Sequence, residues 1–261
     1  MAALGKKYNA VLQQTMLRIK DPKVSVPFYE KHFGMQLVHK YDFPQWKFSL
    51  YFLERPSASF EGCGEPGTPT SENYLWNMTG QCTLELTHNH GSEDDPDFSV
   101  WSGNGGRDLP RDSSLFIENG PVRSFGHIAF NVDDVYSYSA ALEEEGVRFQ
   151  KKPDEGRMKG LAFCLDPDGY WIELVARSRS FPGVSANLSQ TMLRVKDAAA
   201  TVDFYQNVMG MQLMRKMEIP NDFTNYFLTS VLTPDEKERY DKEQIDPNST
   251  EASEFTHSLW Y

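Results

Sequence analysis

Cysteine is scarce in this chain of 261 residues: Cys63, Cys82 and Cys164 are the whole complement. Three thiols, odd in number and far apart, build no disulfide framework, so a reducing compartment, the cytoplasm, is expected. Basic residues are also short. The 26 Lys and Arg face 37 Asp and Glu, for a net charge of −11. Such a surface repels phosphate backbones and anionic bilayers, which argues against nucleic acid and membrane as partners. No run approaches the roughly 18 consecutive apolar residues of a spanning helix. The opening MAALGKKYNA lacks the apolar centre of a secretory signal. What remains is an acidic protein, 39% hydrophobic and 13% aromatic, with enough apolar side chains for a core. An anionic substrate would need a local cluster of Arg or Lys against that background.

Repetition organises the chain. Residues 12–40, LQQTMLRIKDPKVSVPFYEKHFGMQLVHK, align with residues 188–216, LSQTMLRVKDAAATVDFYQNVMGMQLMRK, at 16 of 29 positions and an offset of 176. Conservation of a string such as Gln-Thr-Met-Leu-Arg, rather than of apolar type alone, marks a duplicated unit. A weaker repeat relates residues 125–150 to residues 12–37. Each copy opens on an alternating apolar run, which predicts a strand. Asp21 or Asp133-Asp134 then offers a helix cap, a short amphipathic helix follows, and Gly34 or Gly146 ends it. Further strands are expected over Phe48–Leu53, Thr83–Leu86, Leu161–Cys164 and Tyr170–Leu174, with Asp166-Pro167-Asp168-Gly169 as a turn. The fold class is therefore α+β, built from βαβββ modules: module one over 1–120, module two over 121–180, and a partial copy of module one over 187–261. Residues 54–72 and 91–124 read as surface loops, and 178–187 as a linker.

Polar residues recur at matching places within these strands. Gln14 and His127 sit in the first strand of modules one and two; Glu85 and Glu173 sit in the last. Each glutamate is flanked by apolar neighbours, Leu84 and Leu86 or Ile172 and Leu174, so it faces away from their side of the sheet. A carboxylate inside a curled sheet must be paired or bind a metal. A lone strand glutamate is usually solvent-facing, and a lone glutamine is seldom a ligand; the repeat equivalence is what lifts these four. Brought together by a pseudo-twofold, they form an N/O ligand set suited to zinc, nickel, cobalt or manganese.

Several stretches resemble glyoxalase I: Gln13-Gln14-Thr15-Met16-Leu17-Arg18, Phe43-Pro44 with Lys47–Leu53, Thr83–Asn89, Phe125-Gly126-His127-Ile128, Lys151-Lys152-Pro153 with Met158–Phe163, and Asp166–Glu173. The likeness runs nearly unbroken over residues 11–177 and is nearer to the zinc-using eukaryotic branch. It implies half-barrels of the glyoxalase type, with one divalent metal per site, zinc foremost, held by Gln14, Glu85, His127 and Glu173. It implies that Glu173 is the catalytic base. The implied substrate is the hemithioacetal of methylglyoxal and glutathione, isomerised to S-D-lactoylglutathione. Arg18, Asn89 and Arg123 match the residues that hold the γ-glutamyl end. Lys151, Arg157 and Met158 match the loop over the glycyl end, Arg157 departing from the family's usual Lys. Phe43, Leu50, Phe52, Met78, Leu161 and Phe163 match the apolar pocket, a role that ordinary core packing could also explain.

In the second copy, Gln190 and Arg194 repeat Gln14 and Arg18, but no counterpart of Glu85, His127 or Glu173 follows. A homodimer or a missing C-terminal module is expected, and an impaired or non-enzymatic binding protein on the same fold is the alternative reading. An extradiol dioxygenase on this fold would need a second His where Gln14 stands. The family rule for tandem copies predicts that module two packs against the second copy, setting Gln190 beside His127 and Glu173.

Overall fold

The computed structural model describes residues 4–8, 10–55, 62–77, 82–104, 124–176, 186–230 and 238. It divides into two compact units, residues 13–194 and residues 1–12 with 195–261.

The larger unit holds two sheets. The first contains β1 (Gln14–Ile19), β2 (Gln36–Phe43), β3 (Phe48–Glu54) and β4 (Thr83–Asn89), in the order β1-β4-β3-β2. Strand β1 runs parallel to β4, and the other pairs are antiparallel. The second contains β5 (Phe125–Val132), β6 (Phe149–Lys151), β7 (Leu161–Leu165) and β8 (Trp171–Ala176) in the same 1-4-3-2 order, extended by β9 (Ala186–Leu193). Strand β9, the copy of β1, pairs antiparallel with the outer edge of β5. Helix α2 (Pro22–Phe33) follows β1, and α4 (Val135–Glu144) follows β5. Helix α3 (Pro69–Asn77) lies between β3 and β4, inside a stretch the sequence presents as loop at its start. Its Pro, Ser and Thr residues at the first turn suit a helix N-terminus.

The caps fall where the repeat places them. Asp21 accepts from Lys23 N at 2.8 Å and Asp134 from Ser137 N at 2.6 Å. Gly34 ends α2 at φ +62°, a left-handed conformation that glycine adopts without strain.

Both sheets bury one face in a shared core. Leu17, Ile19, Leu84 and Leu86 from the first meet Ile128, Phe130, Ile172 and Leu174 from the second. The ring of Phe33 on α2 lies 4.4 Å, centroid to centroid, from that of Phe130. The Asp166–Gly169 turn does more than reverse the chain. Asp166 Oδ2 accepts from the Tyr29 hydroxyl at 2.9 Å; Asp168 accepts from Lys20 N at 3.0 Å and Ser25 Oγ at 2.9 Å. The turn of module two is thus a latch on module one. Burial and the nearby Asp168 push Asp166 up to about 7.

The smaller unit holds α1 (Leu4–Lys7), α5 (Ala198–Asp203) continuing as a π turn over Phe204–Val208, and the antiparallel hairpin of β10 (Gln212–Ile219) and β11 (Phe223–Thr229). Asp197 caps α5, receiving Ala200 N at 3.0 Å. Gly5 is required there: a Cβ would overlap the Met209 carbonyl. No helix among the described residues is long and apolar enough to cross a membrane.

Candidate active site

Because each sheet gives one face to the core, strand alternation sends the intervening residues to the other. On the first sheet that face carries Gln14, Met16 and Arg18 of β1, Glu85, Thr87 and Asn89 of β4, and Phe48, Leu50 and Phe52 of β3. Glu85 has Met16 and Phe52 as its cross-strand neighbours. It is 8% exposed. Gln14 Nε2 donates to Glu85 Oε2, and Thr87 Oγ1 donates to Oε1 at 3.1 Å. Burial pushes the Glu85 carboxyl above its ordinary range; the Thr87 and Gln14 bonds oppose this. Gln14 Oε1 is buried with no hydrogen-bond partner. At the far end Arg18 Nη1 donates to Asn89 Oδ1 at 2.6 Å. The Phe43 ring lies tilted 4.8 Å, centroid to centroid, from that of Phe48, with half-buried Leu50 and buried Phe52 on the same strand as Phe48.

The second sheet repeats the motif with an addition. Ala129 of β5 stands between Glu173 of β8 and Gln190 of β9. Gln190 Nε2 donates to Glu173 Oε2 at 2.8 Å, and His127 Nε2 lies 3.2 Å from the same oxygen. Glu173 and His127 are both buried. The Phe163 ring meets His127 edge-on at 5.3 Å, and Trp171 packs behind it. Lys151 Nζ donates to the Leu161 carbonyl at 2.6 Å; burial, then Lys159, lowers its pKa. Arg194 Nη1 donates to the Phe125 carbonyl at 2.9 Å. Arg157 is exposed and Met158 half-buried between β6 and β7. Met78 and Arg123 lie outside the described residues.

The structure therefore brings the four expected ligands together as two pairs, Gln14 with Glu85 and His127 with Glu173. Gln190 stands beside the second pair, the juxtaposition the module-pairing rule predicts. Among the described residues no three His, Cys, Asp or Glu side chains gather around one point. Each cluster nevertheless fits a divalent cation in kind. Each centres on a buried carboxylate; the first adds an amide oxygen, Gln14 Oε1, which has no other partner, and the second adds the imidazole nitrogen of His127. Sequence reasoning missed the docking role of Asp166 and Asp168.

Residues 11–174 and 187–253 match the family model of the Glyoxalase/Bleomycin resistance protein/Dioxygenase superfamily. The chain belongs to this glyoxalase superfamily. It is 42% identical over 224 residues to glyoxalase I of Saccharomyces cerevisiae, covering 84% of this chain and 62% of that protein. It is 39% identical over 255 residues to lactoylglutathione lyase of Schizosaccharomyces pombe, covering 94% of this chain and 73% of that one. Its structure resembles glyoxalase I from Zea mays with a TM-score of 0.58 at 26% identity, over 84% of this chain and 62% of the other. The chain thus spans about three-fifths of the length of the Saccharomyces and maize relatives. The expected α+β fold of repeated βαβββ modules is the one observed.

Proposed function

We propose that this protein is a metal-dependent lactoylglutathione lyase, acting on the hemithioacetal of methylglyoxal and glutathione in the cytoplasm. One observation carries the reading: the last-strand glutamate of each module is held by the first-strand residue of the same module, Gln14 on Glu85 and His127 on Glu173, and Gln190 adds a further contact to Glu173. Buried carboxylates held this way suit a cation and a moving proton better than a stability role.

The reactive centre is the His127–Glu173–Gln190 cluster, with Gln14–Glu85 as its half-built equivalent. His127, Glu173 and Gln190 would hold the cation, zinc foremost. When bound, it supplies Lewis-acid stabilisation to the oxygen that becomes negative as the proton leaves. Glu173 takes the proton from C1 and returns it to C2. His127 and Gln190, on the same Glu173 oxygen, fix the carboxylate's position before transfer. Phe163 and Leu161 shield the reacting carbon from water. Arg194, the copy of Arg18, and Lys151 supply positive charge for the two glutathione carboxylates. Arg18 and Arg123 would supply charge to the γ-glutamyl end, with Asn89 as its hydrogen-bonding partner.

The test is growth of thioester absorbance from methylglyoxal and glutathione, with metal content measured on the same protein. Activity lost on chelation and restored by a divalent cation is expected. A metal-loaded protein with no thioester formation would sink the reading.

A further inference from the structure

The repeat aligns His39 of β2 with Arg215 of β10. Both follow a bulge at the same place, between Leu37 and His39 in one copy and between Leu213 and Arg215 in the other. His39 is buried, and its Nδ1 lies 2.6 Å from Ser71 Oγ. Burial lowers its pKa, so this place favours an uncharged ring. Arg215 puts a cation there instead. It is half-buried, with its guanidinium 5.8 Å from the ring centroid of Phe227, its paired residue on β11. Among the described residues it makes no hydrogen bond or ion pair. None of its nitrogens is sealed from solvent. Burial lowers its pKa as well. The other arginines differ: Arg18 donates to Asn89, Arg194 to the Phe125 carbonyl, and Arg148 is exposed.

A guanidinium is a planar group of donors, and withdrawing it from water without an acceptor is unfavourable. The ring face offsets part of that cost, and a flat neutral heterocycle would stack on it as well. Conversion into such a heterocycle therefore relieves the unpaired charge. A 1,2-dicarbonyl performs this conversion. Its adjacent carbonyl carbons match the terminal nitrogens Nη1 and Nη2. Each nitrogen adds to one carbon, so two C–N bonds form and close a ring. One water molecule then leaves, and the guanidinium proton passes to solvent. No oxidant or reductant is consumed, and the product is an uncharged imidazolone.

We propose that Arg215 is a modification site for a free α-oxoaldehyde, methylglyoxal, and reacts with it ahead of Arg18, Arg148 and Arg194. The choice of aldehyde rests on the lyase reading above; the reaction at Arg215 needs no turnover. The experiment treats the full chain with methylglyoxal in the absence of glutathione and follows the adducts by peptide mass spectrometry over time. Arg215 is expected to react roughly tenfold faster than Arg148, the size of effect that relief of an unpaired polar group provides. Phe227→Leu, which keeps an apolar side chain and removes the ring, should narrow that lead. Arg215→Met should keep or raise the denaturant midpoint, because it removes a half-buried cation without a partner. Adducts that appear first at Arg148, or evenly over the four arginines, overturn the inference. So does a clear loss of stability in Arg215→Met. Thioester formation with glutathione added is a separate readout: its absence beside selective labelling of Arg215 would sink the lyase reading and uphold the reactive guanidinium.

Discussion

The Gln14–Glu85 pair and the Gln190–Glu173–His127 cluster are two renderings of one local design, and they differ in what lies across the strand edge. Strand β5 has β9 along its edge, so Glu173 receives both a glutamine from the neighbouring strand and a histidine from its own module. Among the described residues β1 ends its sheet, and Glu85 receives Gln14 and Thr87. A ligand set thus depends on which strands share an edge as much as on which residues the strands carry. The pair without a neighbour keeps an unsatisfied Gln14 Oε1.

The contrast breaks most sharply at the glutamates. Glu173→Gln should lower kcat by about 10²–10⁴-fold, the usual cost of a lost general base. Glu85→Gln should stay well short of a hundredfold. Rate measurements that show equal losses would mean the two carboxylates work in one site. Next comes the latch between the modules. Burial, with Asp168 nearby, pushes the folded Asp166 carboxyl up to about 7 from its usual 3.8. A raised carboxylate favours the folded state while protonated. That advantage is complete below about pH 4 and disappears as pH rises through 7. The wild type should therefore lose about 2–4 kcal/mol from this group between those limits. Asp166→Asn should remove that part of the slope. Denaturant midpoints at pH 5 and pH 8 for both proteins decide it, and parallel slopes would show that the latch does not titrate.

The arginines sharpen the comparison further. Arg194→Ala should raise KM by an amount equivalent to about 1.5–3 kcal/mol, with kcat nearly kept. Arg18→Ala should act more weakly if the second sheet is the reactive one. Equal KM effects would again join the two faces. The smallest effect belongs to the helix caps. Asp134→Ala on α4 should destabilise by about 1 kcal/mol, and Asp21→Ala on α2 by a similar amount. Thermal melts that show no change would remove the caps from the account of what holds the modules.

Much of this was legible in the residues. The strand–helix–strand order, the caps at Asp21 and Asp134, the glycine at 34 and the matched glutamates all follow from local spacing. Two residues of alternation or one capping carboxylate are enough to place them. Edge sharing was not legible from spacing, because Gln190 and His127 lie 63 positions apart and their strands meet through pairing alone. The rule that set Gln190 beside His127 came from resemblance. The docking of Tyr29 on Asp166 was invisible for a similar reason. A turn aspartate looks ordinary until the packing around it is known.

Thr15 and Thr191, 176 residues apart and equivalent in the repeat, join their hydroxyls across the larger unit. A residue in contact with its own counterpart is what a twofold axis produces between identical subunits. Here both partners are encoded once each in a single chain. Evolution can therefore edit one side of the contact without editing the other. A homodimer cannot do this, since every substitution appears twice. The divergence already visible between Arg18 and Arg194 in their partners, and between α2 and α5 in their length, is the freedom that such covalent splicing of two halves confers.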